Sequence, residues 1–520
     1  MSPNDIVALK AAISEKNRAL RSFKTERIKL TSRLDNAMRA NAQGVELGDN
    51  EFYFRVAMDF RGRVYYKSSH MNPQMADDIK VMLTLANPKP LGEMGWQWLL
   101  WGVAEAADVK GSFKERVDWA LDNLHPIIMA AQDPVSSELF TKQVMNGGSP
   151  ALFLQRANEV RQAGLSGDIY SYRSAVTIAM DATCSGLQIL SAVALDAEGG
   201  SLVNLTPSSS KKDIYQAISD MILDKYNDQS NAFHRHMMAH RDKFKRRFTK
   251  RSVMTLPYSA TIDSAKGYVR DEFRGNMEKG DEPFPLPSTV EERLAILDAL
   301  PKPKHPKADY KVSTDDDSMY RAFANQVAHD IHEACYIRLP AAMNLLAFFK
   351  STPKHLPSHA YWKTPDGLHV KQVYGSKERQ KVQYRDDKID PETGEILGKV
   401  QVSRNYMYLE PTGKDPYKAS NGMPPNWVHS LDGTLVRRVV GAADFPVVCI
   451  HDSFAAHPSD CQDLYRILRE QFVRLVNDQP LQTLVKGLNA QVGSDVFSAD
   501  ALMVNTWTPE DALQSEFLFC

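Results

Sequence analysis

The sequence predicts an α+β protein that is mostly helical and carries a few short strands. Residues 4–40 and 317–350 read as long helices, the second with a kink at Pro340. Two short apolar runs, VTIAM at 176–180 and VVCI at 447–450, are typical of buried strands. Because each run leads to an aspartate within a few residues, the sheet is expected to end at a polar site.

The composition is that of an ordinary soluble globular protein. The chain has 520 residues with 43% hydrophobic and 24% charged residues, and 63 basic side chains nearly balance 64 acidic ones. A polyanionic partner would therefore show only in local patches. Five cysteines without CxxC spacing indicate reduced thiols. With no apolar run of membrane length and no secretory signal, we expect a cytoplasmic protein without a membrane partner.

Several segments carry local signals. The helix at 4–40 is strongly basic, so it either presents a solvated face or lies along a nucleic-acid backbone. VAMDFRGRVYY at 56–66 predicts a strand, a turn at Gly62 and a second strand. The Pro- and Lys-rich residues 286–316 predict a surface loop. A charged hairpin is expected at 383–404, and it either contacts DNA or is a surface excursion.

Asp181 and Asp452 are the candidate metal ligands. If their two strands are neighbours in one sheet, the two carboxylates converge. Such a pair can hold two Mg²⁺ ions about 3.5–4 Å apart, the arrangement that supports phosphoryl transfer. The alternative is that each aspartate is only a cap or a turn residue.

The segment FKRRFTKRSVMTLPYS, residues 244–259, is the candidate nucleotide site. Arg246 and Lys250 fall about 40° apart on one face of a helix. Pro257 ends or kinks that helix, and Tyr258 at its end can stack on a base. A cationic face followed by an aromatic ring suits a nucleoside triphosphate, although a solvated basic helix is the alternative.

Six motifs occur in one order along the chain. They are DFRGRVY at 59–65, DATCSGLQILSA at 181–192, RxxxKRSVMTLPY at 246–258, WKTPDG at 362–367, PPNWVHSLDG at 424–433 and HDSF at 451–454. Together they closely resemble the single-subunit DNA-directed RNA polymerases of bacteriophages and mitochondria. The resemblance implies a right-hand polymerase with palm, fingers and a reduced thumb, mostly helical with a small antiparallel palm sheet.

The resemblance also implies a division of the chain. The expected parts are a basic thumb-like segment at 1–58, a first palm part with a helical insertion at 59–215, fingers at 216–350 with the nucleotide-binding helix 244–258, and a second palm part at 351–520 with the hairpin 383–404 and a C-terminal foot.

For the chemistry, the resemblance assigns the two metals to Asp181, Asp452 and the backbone carbonyl of Ala182. It assigns Lys250 to phosphate contact and to protonation of the leaving pyrophosphate. It makes Arg246 a second phosphate contact.

The resemblance further implies contacts with the sugar and the nucleic acid. Tyr258 would sense the sugar and the next template base, and His451 would lie beside the RNA 3′ end. Arg61 and Arg63 would contact nucleic acid near the active centre. His429 would lie near the primer strand, unless it is a hydrogen-bonded core histidine.

Sugar selection is expected at two further positions. Gly186 stands where related DNA polymerases carry a glutamate that blocks the 2′-hydroxyl, so a ribose would fit. Tyr361 stands where the family often places a histidine that reads this hydroxyl, and a tyrosine hydroxyl can form a hydrogen bond of the same kind. The chain also departs from the family at Ser259, where glycine is usual after the tyrosine.

The implied function is DNA-templated RNA synthesis from rNTPs with two Mg²⁺ ions, as in phage transcription in a bacterial host cell. Only 58 residues precede Asp59, so the family's N-terminal promoter-recognition domain is expected to be essentially absent. The chain would then need a second polypeptide, or a single-stranded or melted template. The alternatives are a DNA polymerase or a primase-like enzyme of the same fold, and a non-enzymatic nucleic-acid-binding protein.

Overall fold

The computed structural model describes residues 3–275, 282–301, 313–389 and 395–520. In those ranges the α-helices are α1 Pro3–Leu47, α2 Asp77–Lys80, α3 Gly92–Ala106, α4 Phe113–Asp122, α5 Leu124–Gln132, α6 Met145–Gly147, α7 Pro150–Leu165, α8 Ser185–Val193, α9 Ala197–Leu202, α10 Ile214–Tyr226, α11 Ala232–Ala239, α12 Arg247–Thr255, α13 Ile262–Arg274, α14 Val290–Ala299, α15 Asp316–Arg338, α16 Pro340–His355, α17 Pro416–Ala442, α18 Cys461–Asn477, α19 Pro480–Val492 and α20 Asp511–Gln514.

The strands are short except for one hairpin. They are β1 Val56–Met58, β2 Val64–Tyr66, β3 Lys89–Pro90, β4 Arg173–Ser174, β5 Ile178–Asp181, β6 Tyr361–Lys363, β7 His369–Lys371, β8 Gly375–Ile389, β9 Ile396–Lys414, β10 Val448–Ile450 and β11 Ser453–Ala456. Every pairing among them is antiparallel. The mostly helical α+β prediction is confirmed.

Two local predictions need correction. Residues 286–316 are not all loop, because α14 forms inside them. The Thr289 side chain accepts from the backbone of Glu292, whose own side chain caps the backbone of Thr289, and this capping box starts the helix between the Pro-rich flanks. The predicted kinked helix is two helices, since Leu339 leaves the helical conformation (φ −133°, ψ 51°) and Pro340 starts α16.

The chain divides into two compact units. The first contains Met1–Asp59, Val64–Asp181 and Val440–Ile467. The second contains Phe60–Arg63, Ala182–Val439 and Leu468–Cys520. No helix in the described part of the chain is both long and apolar enough to cross a membrane.

The first unit is organised around a three-stranded sheet of order β10-β11-β5. Ile178, Met180 and Phe454 of this sheet are fully buried. Helix α3 packs closely against it, since a Cβ added at Gly102 would lie 2.5 Å from the Ile178 side chain. The glycine therefore allows the helix to approach the strand that carries Asp181.

In the second unit, the closing residues of the chain pack against α8. Ala182 forms a β-bridge with Phe519, and the buried Gln188 amide donates to the Leu518 carbonyl at 3.0 Å. The hydroxyl of Thr183 donates to the Phe517 carbonyl at 2.7 Å. These contacts with the backbone of Phe517, Leu518 and Phe519 fix the start of α8.

The β8–β9 hairpin extends well beyond the predicted 383–404, and its tip at 390–394 lies outside the described residues. Lys381, Gln383 and Arg385 share one face because side chains alternate along a strand, and Gln401 and Ser403 lie opposite them. Gln401 donates to Gln383 at 3.2 Å. This face of the hairpin is polar and exposed in its described part.

Ser259 follows the short 3₁₀ helix Leu256–Tyr258 with φ at +65° and ψ at 25°. This left-handed conformation favours glycine, which is the residue the resemblance implies here. The Ser259 side chain is buried, and its hydroxyl has no hydrogen-bond partner in the described residues. Both features cost stability.

We therefore expect Ser259→Gly to stabilise the protein by about 1 kcal/mol, which a shift of the thermal unfolding midpoint would report. Ser259→Ala is the matched control, because it removes the hydroxyl but keeps the backbone strain, and it should stabilise less. A lower midpoint for the glycine variant would contradict this account.

Candidate active site

Asp181 and Asp452 come together at one edge of the sheet in the first unit. β11 pairs with β5 in a register that places Ser453 opposite Asp181, and Asp452 directly precedes Ser453. The predicted convergence of the two strands is therefore present in the structure. The sheet is antiparallel, so the turn before β11 and the end of β5 lie at the same edge.

His451 and Asp452 form the two-residue turn between β10 and β11, in which Ile450 pairs with Ser453. The φ angle of His451 is +57°, a region that few residues other than glycine adopt. The imidazole packs edge-on against the Tyr65 ring, with 5.0 Å between ring centroids. Such strained positions cluster at functional sites, and this one directly precedes Asp452.

The surroundings of Asp181 raise the pKa of its carboxyl group. Protein atoms around it disfavour its charged form, and the charges of Asp452 and Glu105 add to this, so its pKa is raised. A hydrogen bond from Ser453 and the charge of Lys80 oppose the shift. The residue is nevertheless exposed at the end of its strand, so a ligand from solvent can reach it.

This electrostatic setting suits a bound cation. Two carboxylates close enough to raise a pKa repel each other, and a divalent ion between them would relieve that repulsion. Glu105 and Lys80, which sequence reasoning missed, belong to the same surroundings. Glu105 also binds the buried Arg156 at 2.7 Å, so it is already engaged.

In the second unit, the basic segment forms α12, with Arg246 as its N-cap residue rather than inside the helix. Most nearby cations have partners: Arg246 pairs with Asp213, Arg247 lies 3.4 Å from Glu272, and the Arg251 guanidinium is 4.1 Å from the centroid of the Tyr268 ring.

Lys250 differs from these neighbours. It is exposed and forms no ion pair with any carboxylate in the described ranges. Its ammonium group is therefore available to an anionic ligand.

Tyr258 lies against the start of α8 within this same unit. Its hydroxyl is 3.4 Å from the Ser185 hydroxyl, and its ring centroid is 4.8 Å from that of His429. A Cβ added at Gly186 would lie 2.8 Å from Pro257 Cβ and 3.0 Å from the Tyr258 hydroxyl oxygen. Gly186 is therefore needed for the close approach of Pro257 and Tyr258.

Arg61 joins this group, whereas Arg63 has a different environment. A terminal nitrogen of Arg61 is 2.8 Å from Nδ1 of His429. Arg63 donates through Nε to both oxygens of the buried Asp432, at 3.0 and 3.1 Å. The Arg63 charge is thus balanced inside the protein, which favours a structural role over the predicted nucleic-acid contact.

Tyr361 and Ala182 form other contacts within the second unit. The backbone of Tyr361 exchanges hydrogen bonds with the Gln491 side chain at 3.1 and 2.7 Å, and its own side chain is 52% exposed. No contact in the described residues joins Tyr361 to Gly186. Ala182 follows Asp181 in the chain, and its backbone bridges to Phe519.

Comparison with known proteins connects this geometry to a family. The family model described as DNA-dependent RNA polymerase matches residues 89–511. The DNA-directed RNA polymerase of Enterobacteria phage T3 is 28% identical over 504 residues, covering 91% of this chain and 53% of that relative. T7 RNA polymerase of Escherichia phage T7 is 28% identical over 506 residues with the same coverages.

A mitochondrial relative also matches. The mitochondrial DNA-directed RNA polymerase of Schizosaccharomyces pombe is 26% identical over 468 residues, covering 88% of this chain and 37% of that protein. The chain spans about half the length of the phage relatives it matches. The family model covers most of the chain, and the chain therefore belongs to the DNA-dependent RNA polymerase family.

Proposed function

We propose that this chain catalyses DNA-templated RNA synthesis, by nucleotidyl transfer from rNTPs to an RNA 3′ end. The observation that carries the proposal is the pairing of Ser453 with Asp181, which brings Asp452 to the same sheet edge. The first unit thereby carries a carboxylate pair. Lys250, in the second unit, is exposed and forms no ion pair with a carboxylate in the described ranges. DNA template, RNA product and rNTPs are the proposed partners, in the cytoplasm of a bacterial host.

A divalent metal requirement follows in general from membership of the family. We propose two Mg²⁺ ions, held by Asp181, Asp452 and the Ala182 carbonyl, because carboxylate and carbonyl oxygens are ligands that Mg²⁺ accepts. When bound, such ions polarise the phosphate and stabilise the attacking and leaving oxygens.

The chain's own groups would orient the substrate. Lys250 and Arg246 would bind the triphosphate, and the ammonium of Lys250 can donate a proton to the departing pyrophosphate.

The same proposal includes the palm, fingers and reduced thumb with the boundaries given above. The α12 segment would serve as the nucleotide-binding part of the fingers. Tyr258, with His429 and Arg61 beside it, would form the contact with the sugar and the growing strand.

Ribose selection is assigned to the surroundings of Gly186. A glutamate at this position would collide with Pro257 and the Tyr258 hydroxyl, since even a Cβ would lie within 3.0 Å of them. A side chain that blocks the 2′-hydroxyl therefore cannot be placed here without moving Tyr258. This favours an RNA polymerase over a DNA polymerase of the same fold.

The direct test is extension of an RNA primer on a single-stranded DNA template with Mg²⁺, comparing rNTPs with dNTPs. We expect rNTP-dependent extension by the purified chain. Asp181→Asn or Asp452→Asn should abolish extension and leave template binding largely unchanged, because each removes a metal ligand and not the fold.

The matched control is Asp463→Asn, an exposed carboxylate on α18 in the same unit as the two aspartates, which should retain activity. Lys250→Ala should slow incorporation by about 10²- to 10³-fold, whereas Lys245→Ala should not. Normal extension by either aspartate variant would remove that residue from the mechanism. Preference for dNTPs would replace the proposal by its DNA polymerase alternative.

We also propose that a second polypeptide docks on α1 and supports promoter opening. Six exposed apolar side chains of this helix recur at intervals of three, four or seven residues, which places them on one side, whereas the exposed Ile28 lies off this line. The six are Leu20, Phe23, Leu30, Leu34, Met38 and Val45, each at least 48% exposed. An exposed apolar stripe of this length indicates a binding surface.

The charges beside the stripe define the partner's chemistry. Lys24 is exposed beside the stripe and Arg27 is exposed on it, so a complementary helix would be amphipathic and would carry acidic residues. The phage relatives carry about half of their length outside the matched region.

This predicts that the chain alone initiates RNA on DNA with a preformed bubble but not on the same DNA fully paired. Leu30→Glu with Leu34→Glu should leave primer extension unchanged, because neither residue is among those proposed to bind metal, nucleotide or template. Initiation from fully duplex promoter DNA by the chain alone at ordinary salt would refute the need for a partner. Loss of template binding in the glutamate variant would indicate a nucleic-acid surface instead.

A further inference from the structure

Asp213 in the second unit forms an ion pair with Arg246, the predicted phosphate contact. Oδ2 of Asp213 accepts from Nε of Arg246. Oδ1 accepts from the backbone N–H groups of Tyr215 at 2.9 Å and Gln216 at 3.2 Å, and so caps the start of α10. One carboxylate therefore both begins a helix and holds the arginine.

Tyr215 supports the same guanidinium from a second direction. The Arg246 guanidinium carbon lies 4.8 Å from the centroid of the Tyr215 ring, and the ring is buried. The Tyr215 carbonyl accepts from the Thr249 hydroxyl at 2.7 Å, which ties α10 to α12. Arg246 is thus held at the junction of two helices that are bonded to each other.

The segment before Asp213 is fixed as well. The fully buried Asn204 donates to the Lys212 carbonyl at 3.0 Å and accepts from the Lys212 N–H at 2.8 Å. A side-chain amide that pairs with both backbone groups of one residue acts like a partner strand. The position of Asp213 is therefore set by the fold and not by Arg246.

The contacts of Arg246 leave its two terminal amino groups available to a ligand. Within the described residues its hydrogen bond to Asp213 uses Nε, while the two terminal amino groups form no bond to protein, and its side chain is 41% exposed. A planar guanidinium held at Nε and supported on one face has few orientations left. Its terminal amino groups can then bind two oxygens of a phosphate.

We propose that Asp213 is a positioning residue, which orients Arg246 for the triphosphate of the incoming nucleotide. The proposal rests on the proposed function, because it needs Arg246 to bind that triphosphate. Asp213 itself does not touch the nucleotide. Its effect is to reduce the orientational freedom that Arg246 would lose on binding.

The test is Asp213→Asn, measured by steady-state primer extension with varied rNTP concentration. Asparagine caps helices as well as aspartate does, so α10 and the unfolding midpoint should be unchanged. The charge-assisted hold on Arg246 is lost, and we expect KM for the rNTP to rise about tenfold while kcat changes less than about twofold. Asp224 is an exposed carboxylate on the same helix, and the control variant Asp224→Asn should change neither KM nor kcat.

A double-mutant cycle separates positioning from a general structural role. In an Arg246→Ala background, Asp213→Asn should raise KM no further, because the residue it positions is absent. If Arg246→Ala alone leaves KM unchanged, the assignment of Arg246 to the triphosphate fails. If Arg246→Ala raises KM but Asp213→Asn leaves KM unchanged, the positioning role of Asp213 is overturned. The role is also overturned if Asp213→Asn lowers KM, because Asp213 would then compete with the nucleotide for Arg246.

Discussion

The pairing of Ser453 with Asp181 is the contact on which the carboxylate pair of the first unit depends. It brings together two carboxylates that are far apart in the chain, and their mutual repulsion is part of why the pKa of Asp181 is raised. The free-energy cost of this repulsion is offset by apolar burial in the same sheet, where Ile178, Met180 and Phe454 are excluded from water. A one-residue slip in register would turn these side chains outward, so apolar packing fixes the position of the charged pair.

In the second unit, the main constraint is the close packing of Tyr258 against helix α8. Pro257 and Tyr258 approach α8 so closely that the facing residue must be Gly186. The chain then leaves the 3₁₀ turn through Ser259 in the left-handed conformation. The absence of a side chain at Gly186 permits this close approach, and the Tyr258 ring lies beside that of His429.

The sequence was informative where a local pattern determines the structure. Apolar runs that end in aspartates predicted the strands of Asp181 and Asp452, and the capping signal of Thr289 and Glu292 could have located α14 within the Pro-rich segment. Partners contributed by distant parts of the chain were not predictable. Asp432 reads as an ordinary helical aspartate, yet it is buried and accepts a hydrogen bond from Arg63. Glu105 near Asp181 carries no signal in its own helix.

Acidic and aromatic side chains engage most of the basic residues in and around α12, so only a few of these cations stay open to a ligand. Periodicity alone places Arg246 and Lys250 on one face and cannot distinguish them from Arg247 or Arg251. The structure separates them by their partners: Arg247 lies against Glu272, and Arg251 covers the Tyr268 ring. Lys250 keeps its charge exposed, and Arg246 keeps two amino groups while Asp213 holds the third nitrogen. The acids and rings around α12, more than its basic sequence, determine which of these cations stay open to an anionic ligand.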